Sequence, residues 1–158
     1  MSARPYIIYP DKAGRLHEAG LGEVVVKSFI DEPGQVSFGV IDFVPGWFLA
    51  PHHHHTWELI IVDSSSEGPG YTFFEEHWWR ADPGSCLFVP KGYTHCWSAG
   101  NKKGFKMLWI YPGSHEEAGR IYDGDSQAFK AITPEEEGNA LVWTAETARS
   151  VSDSKLSN

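Results

Sequence analysis

Hydrophobic and polar residues alternate through the first two-thirds of the chain, and turn-forming clusters break the alternation at near-regular intervals. Apolar side chains at every second position, bounded by Gly, Pro, Asp or Ser, specify strands with one buried face. The pattern predicts strands over 24–30 and 36–44, closed by Asp31-Glu32-Pro33-Gly34 and Pro45-Gly46. Longer runs follow at 52–62 and 71–80, the second ended by Asp82-Pro83-Gly84. Segments 86–89, 95–99 and 105–111 complete the set. Many short strands at even spacing predict an all-β sandwich or barrel. On the last strand Phe105, Met107, Trp109 and Tyr111 share one face, with Lys106, Leu108 and Ile110 on the other.

Past Pro112 the alternation fades. Residues 114–122 read as a short helix, and Thr133-Pro134-Glu135-Glu136 carries a helix-start pattern: a capping Thr, Pro in the first turn, and Glu three residues after the Thr. This second helix is expected to lie outside the barrel, with Leu141, Val142 or Trp143 packing, and 150–158 reads as a polar, frayed tail. The chain thus divides into an N-terminal segment 1–23, a barrel core 24–112 and a C-terminal extension 113–158.

A length of 158 residues suits one domain with a real core. Net charge is -8, and a notable cluster of lysines is Lys102, Lys103 and Lys106. No basic stripe is available to neutralise phosphates, so nucleic acid is excluded as an expected partner. No apolar run approaches the ~20 residues needed to cross a bilayer. The start, Met1-Ser2-Ala3-Arg4-Pro5, lacks the apolar core of a secretion signal, and a cytoplasmic location is expected. Two cysteines, Cys86 and Cys96, exclude a disulfide framework. A hairpin turning at Lys91-Gly92 would set them roughly opposite each other, and the expectation is two reduced, buried side chains.

Candidate chemistry concentrates in His52-His53-His54-His55-Thr56-Trp57-Glu58 and in Pro90-Lys91-Gly92-Tyr93-Thr94-His95. On a strand, positions i and i+2 point the same way, so His52 with His54, or His53 with His55, can face one cavity. Alternation leaves both pairs open, because a bulge would exchange the faces. Imidazoles with a carboxylate suit Fe, Mn, Ni, Cu or Zn better than Ca or Mg.

Taken together, Gly46, His52, His54 and Glu58, then Gly84, Pro90, Gly92 and His95, keep the spacing of the two cupin motifs, and residues 38–112 resemble that family. Two departures stand out: Ala99 occupies the usual Asn position, and the 63–70 loop after the first motif is longer and looser. The resemblance implies a double-stranded β-helix, or jelly-roll, barrel with a short C-terminal helical extension. It also implies His52, His54, Glu58 and His95 as ligands of one divalent transition metal, Fe(II) favoured, with Mn, Ni, Zn or Cu possible. It further implies a homodimer, with the segment from Tyr6 to Tyr9 contributing. The expected function is a metal-dependent enzyme, an Fe(II) dioxygenase acting on a small aromatic or diketone-like substrate. A non-redox lyase, isomerase or cyclase is the alternative, as is a non-catalytic ligand-binding module. Cupin dimethylsulfoniopropionate lyases would carry a Tyr two residues after the Glu; here that position is Ile60.

The rest of the site is read from strand faces and aromatic content. Trp47, Phe73, Trp97, Phe105, Met107 and Trp109 are expected to wall a pocket for a planar or hydrophobic molecule. Tyr93, near the mouth, and Glu75 with His77, placed on one strand face, are the candidate acid–base groups.

Overall fold

Alternation is realised as two facing sheets. The computed structural model describes residues 9, 13–16, 26–124 and 128–144. The tail at 150–158 and most of the dimerisation segment expected around Tyr6 lie outside them. In chain order the strands are β1 (Gly14–Leu16), β2 (Val26–Glu32), β3 (Val36–Phe43), β4 (Phe48–His53), β5 (Glu58–Val62) and β6 (Gly70–Phe74). They continue with β7 (His77–Ala81), β8 (Cys86–Val89), β9 (His95–Ala99), β10 (Phe105–Pro112), β11 (Ile121–Tyr122) and β12 (Leu141–Val142). One sheet runs β1-β2-β3-β10-β5-β8 and the other β11-β4-β9-β6-β7-β12, the order of a jelly roll.

On β10 burial alternates residue by residue, with Phe105, Met107, Trp109 and Tyr111 inward. They meet Ile41 and Phe43 of β3, Ile60 and Val62 of β5, and Leu49 and Trp97 from the opposite sheet, forming one core. Gly39 sits directly across from Trp109 on β3, and a Cβ there would lie 2.2 Å from the indole ring. The glycine is thus the seat of a tryptophan.

Two predicted strands are each two. The 52–62 run breaks at His54–Trp57, where the chain leaves β4 in one sheet and enters β5 in the other. The 71–80 run is a hairpin whose two turn residues, Glu75 and Glu76, have φ of 51° and 67°. A two-residue turn of this hand normally takes Asn or Gly, so the sequence carries no sign of it. The predicted 114–122 helix stops at Ala118: α1 (His115–Ala118) ends at Gly119, φ 58°, and Ile121–Tyr122 becomes a strand beside β4. The second helix, α2 (Pro134–Asn139), has its predicted cap, Thr133 Oγ1 accepting from the Glu136 N–H while Glu136 returns the bond. The extension therefore supplies edge strands to the barrel as well as helices.

Cys96 is buried and Cys86 exposed, in strands of different sheets, and both are free. The expected cysteine opposition fails because β8 pairs with β5 and β9 with β4 and β6.

Glu137 fastens α2 to the barrel. Its carboxylate accepts from the Asn101 N–H at 3.0 Å, from Asn101 Nδ2 at 2.9 Å and from the Tyr71 hydroxyl at 3.1 Å. These bonds, the Asn101 ones foremost, hold its carboxyl below the ordinary glutamate value. A carboxyl whose pKa is lower folded than unfolded stabilises above its unfolded pKa, and that contribution vanishes as pH falls through the folded one. Glu137→Ala should cost about 1 kcal/mol at pH 7, in line with charge-assisted bonds at a partly exposed site. The gap between parent and variant melting curves should close as pH is taken below the carboxylate range; a gap independent of pH would contradict the assignment.

Candidate metal centre

His52, His54, Glu58 and His95 converge, each buried, with one ligand atom apiece lying within 4.8 Å of all the others. The His52 ring lies 4.4 Å from that of His95 and 5.0 Å from that of His54. Glu58 Oε2 is 2.9 Å from His95 Nε2 and 3.5 Å from His54 Nε2. His52 and His95 are cross-strand partners on β4 and β9, while Glu58 opens β5 in the facing sheet, so the cluster spans the barrel. A register shift between Leu49 and His52 puts both of those side chains inward, which settles the choice between the alternate histidine pairs.

The second ring nitrogens bear on what the cluster could hold. His52 Nδ1 lies 2.7 Å from the Ala50 carbonyl, His95 Nδ1 3.2 Å from the Tyr93 carbonyl, and His54 Nδ1 against the Gly119 carbonyl. A carbonyl only accepts, so each Nδ1 carries the hydrogen, and in the neutral ring each Nε2 keeps its lone pair. Three lone pairs and a carboxylate then face one point. Among the described residues Glu58 Oε2 and His95 Nε2 have no hydrogen-bond partner despite burial, as two acceptors facing each other must. A cation between them resolves that repulsion. Atoms bound to a transition metal at about 2.1 Å stand about 3 to 4 Å apart; the two Glu58 contacts are of that size, and the widest separation, within 4.8 Å, would close slightly around an ion.

Protonation agrees with that role. Burial, then the neighbouring His95 and His54, pushes the His52 imidazole well below its ordinary value. His54 is also lowered by burial, with Glu58 pulling the other way. Burial alone would raise the Glu58 carboxyl; positive charge on the side of His95 and His54, with the Tyr111 bond, brings it below the ordinary range. Neutral imidazoles and an ionised carboxylate are the forms that bind metal.

Tyr111 is a neighbour that the motif spacing does not include. Its hydroxyl is 3.3 Å from His54 Nε2 and also bonds Glu58. Burial, then Glu58, drives its acidity well below that of an ordinary phenol, so it stays protonated. Its inward place on β10 was visible; its reach to Glu58 depends on sheet packing. His53 faces the other way, its Nδ1 2.9 Å from Asp123 Oδ1, and Thr94 Oγ1 donates to the same carboxylate at 2.8 Å. His55 is exposed beside Gly119.

A cavity of about 730 Å³ opens beside the cluster, between β5 and β8 on one wall and β6, β7 and β9 on the other, with His95 and Trp97 at its inner end. Of the expected pocket residues only Trp97 lines it. Phe73 packs on Trp78 instead, because Thr72 and Phe74 are the inward positions of β6. Trp47 packs edge-on against Phe43, Phe105 stacks on Phe43, and Met107 is core. Trp109 is core too, between Tyr111 and His115. Sequence reasoning put the pocket on β10, yet β10 is central in its sheet and the opening lies at the β7 and β8 edges. Of the acid–base candidates, Tyr93 and Glu75 do meet on the cavity wall, the Tyr93 hydroxyl donating to Glu75 Oε1 at 2.9 Å. Burial, then Glu75, pushes the Tyr93 phenol up to about 12. His77 is exposed: the turn at Glu75–Glu76 separates it from the Glu75 face assumed for an unbroken strand.

The sequence matches the model of the AraC-like ligand binding domain over residues 36–139, two-thirds of the chain. It is a cupin of that family. The barrel resembles the polyketide cyclase RemF from Streptomyces resistomycificus, at 17% identity over 89% of this chain and 100% of that one, TM-score 0.63. It also resembles a double-stranded β-helix protein from Klebsiella pneumoniae, at 15% identity over 77% and 100%, TM-score 0.59. A third likeness is the DMSP lyase DddQ from Ruegeria pomeroyi, at 18% identity over 75% and 60%, TM-score 0.55. At these identities the likeness establishes the cupin fold. No curated protein matches the sequence. No helix among the described residues of this cupin is long and apolar enough to cross a membrane.

Proposed function

We propose that this cupin is a metal-dependent enzyme acting on an apolar small molecule, by non-redox lyase, isomerase or cyclase chemistry. The observation that carries the metal is the set of three imidazoles whose Nδ1 hydrogens are all spent on backbone carbonyls, leaving three Nε2 lone pairs and Glu58 convergent. A divalent ion held there would polarise a carbonyl oxygen of the substrate. The Tyr93–Glu75 pair, on the wall of the same cavity as His95, can hand a proton to or from a bound molecule. Glu75 keeps a positive φ while it accepts from Tyr93, the kind of strained backbone that concentrates at working sites. A cyclase and a lyase among the structural relatives are in keeping with this chemistry.

An Fe(II) dioxygenase is the second reading, favoured by the three-imidazole ligand set. The two are separated with 2-hydroxyacetophenone in deuterium oxide, using protein loaded with Fe(II), Mn(II), Ni(II) or Zn(II). Metal-dependent deuterium uptake beside the carbonyl, without oxygen consumption, supports the proposal; oxygen consumption with Fe(II) alone favours the dioxygenase. Ligand-induced stabilisation with neither event would leave a binding module. Tyr93→Phe should lower exchange by at least about a hundredfold. Its metal content should stay that of the parent; unchanged exchange would remove Tyr93 from the reaction.

A further inference from the structure

Trp143 lies beyond the stretch matched by the family, which ends at 139. It reaches the cavity because β12 adds in parallel to the edge of β7, Leu141 opposite Trp79 and Val142 opposite Arg80. The Trp143 indole then sits 5.0 Å from the Trp79 ring and 6.4 Å from that of Phe74. Phe74 and Trp79 are themselves stacked, 8° from parallel, and Trp79 Nε1 spends its hydrogen on the Phe74 carbonyl at 3.3 Å. These rings offer the cavity aromatic surface. Trp143 is 56% exposed at the cavity, whereas Phe88 of the opposite wall turns its ring toward Trp57. Exposed aromatic surface bordering a cavity is surface that an apolar ligand can cover. Polar groups line the same cavity: Tyr93 and Glu75 on the wall, and buried His95.

We infer that Trp143 is a specificity-determining wall of this cavity, and that the molecule it selects is flat and ring-bearing with a hydroxyl or carbonyl oxygen at one end. The inference rests on reading the cavity as the substrate site. Rings stack or meet edge-to-face with Trp79, Phe74 and Trp143 only if the ligand is itself planar, whereas burial of apolar area rewards any shape. The oxygen end finds Tyr93 and Glu75, which an all-carbon ligand would leave unused. A volume of about 730 Å³ is ample for more than one ring.

Planarity and area are separated by 2-naphthol and its saturated counterpart, decahydro-2-naphthol, titrated into the full chain with and without bound Zn(II). The parent should bind 2-naphthol about fivefold or more above decahydro-2-naphthol. Trp143→Ala should lower 2-naphthol affinity about tenfold and that of the saturated alcohol clearly less, through lost area alone, and Trp143→Phe should stay within about threefold of the parent. Melting curves establish that both variants are folded. The inference is overturned if the parent binds neither compound, if Trp143→Ala weakens both equally, or if it alters only self-association, which would make the rim an interface between copies. Binding of 2-naphthol that survives in His95→Ala protein keeps this inference standing even if the metal chemistry fails.

Discussion

Replacing His95 with alanine should leave a folded barrel that binds divalent metal at least about a hundredfold more weakly than the parent. His95 is 1% exposed, stands across from His52, and is 2.9 Å from Glu58. Without it Glu58 loses its 2.9 Å neighbour and the set falls from four groups to His52, His54 and Glu58. The fold should survive, because the core of Ile41, Ile60, Trp97, Phe105, Met107 and Trp109 is untouched. His53→Ala is the matched control. That imidazole is bound to Asp123 on the outer face, and its loss should leave metal affinity as it was. Competition against a chromophoric chelator gives both values. A folded His95→Ala protein with parental affinity would remove His95 from the ligand set.

Gly39→Ala should be among the most damaging small substitutions in the barrel. The new Cβ would meet the Trp109 ring at 2.2 Å and the Lys27 carbonyl oxygen at 2.4 Å. Neither can move cheaply: Trp109 is 2% exposed in the core, and Lys27 O belongs to the neighbouring strand backbone. Overpacking of this kind costs about 3 kcal/mol or more. For a chain of this size the melting point should fall by about 6 to 12 °C. Gly34→Ala tests the opposite circumstance, with open space around the Cβ but φ of +70°, and should cost only about 1 kcal/mol of backbone strain. Calorimetry on both separates collision from conformation; a Gly39→Ala protein as stable as the parent would mean that Trp109 is not seated as described.

The legible part of this protein was its periodicity and its spacing. Alternation placed the core strands, and burial along β10 follows it residue for residue. Motif spacing chose His52, His54, Glu58 and His95, although alternation alone could not, since the shift before His52 is invisible in the sequence. What failed had a common cause. The turn at Glu75–Glu76 and the sheet crossing at 54–57 carry no glycine or proline, so two broken strands read as continuous and His77 was placed beside Glu75. The pocket was put on the aromatic face of β10, where packing between sheets fills the space; the cavity lies between the edge strands, and which strands are edges is a property of topology. Trp143 was expected to pack outside the barrel, and its route to the cavity through β12 is likewise a matter of strand order.

The central claim is that one divalent transition metal sits among His52, His54, Glu58 and His95. Elemental analysis of untagged protein, loaded anaerobically with Fe(II), Mn(II), Ni(II) or Zn(II) and freed of excess by gel filtration, tests it most directly. The account predicts close to one metal ion per chain in the parent and a small fraction of that in His95→Ala. A folded parent protein that retains none of the four metals would contradict it.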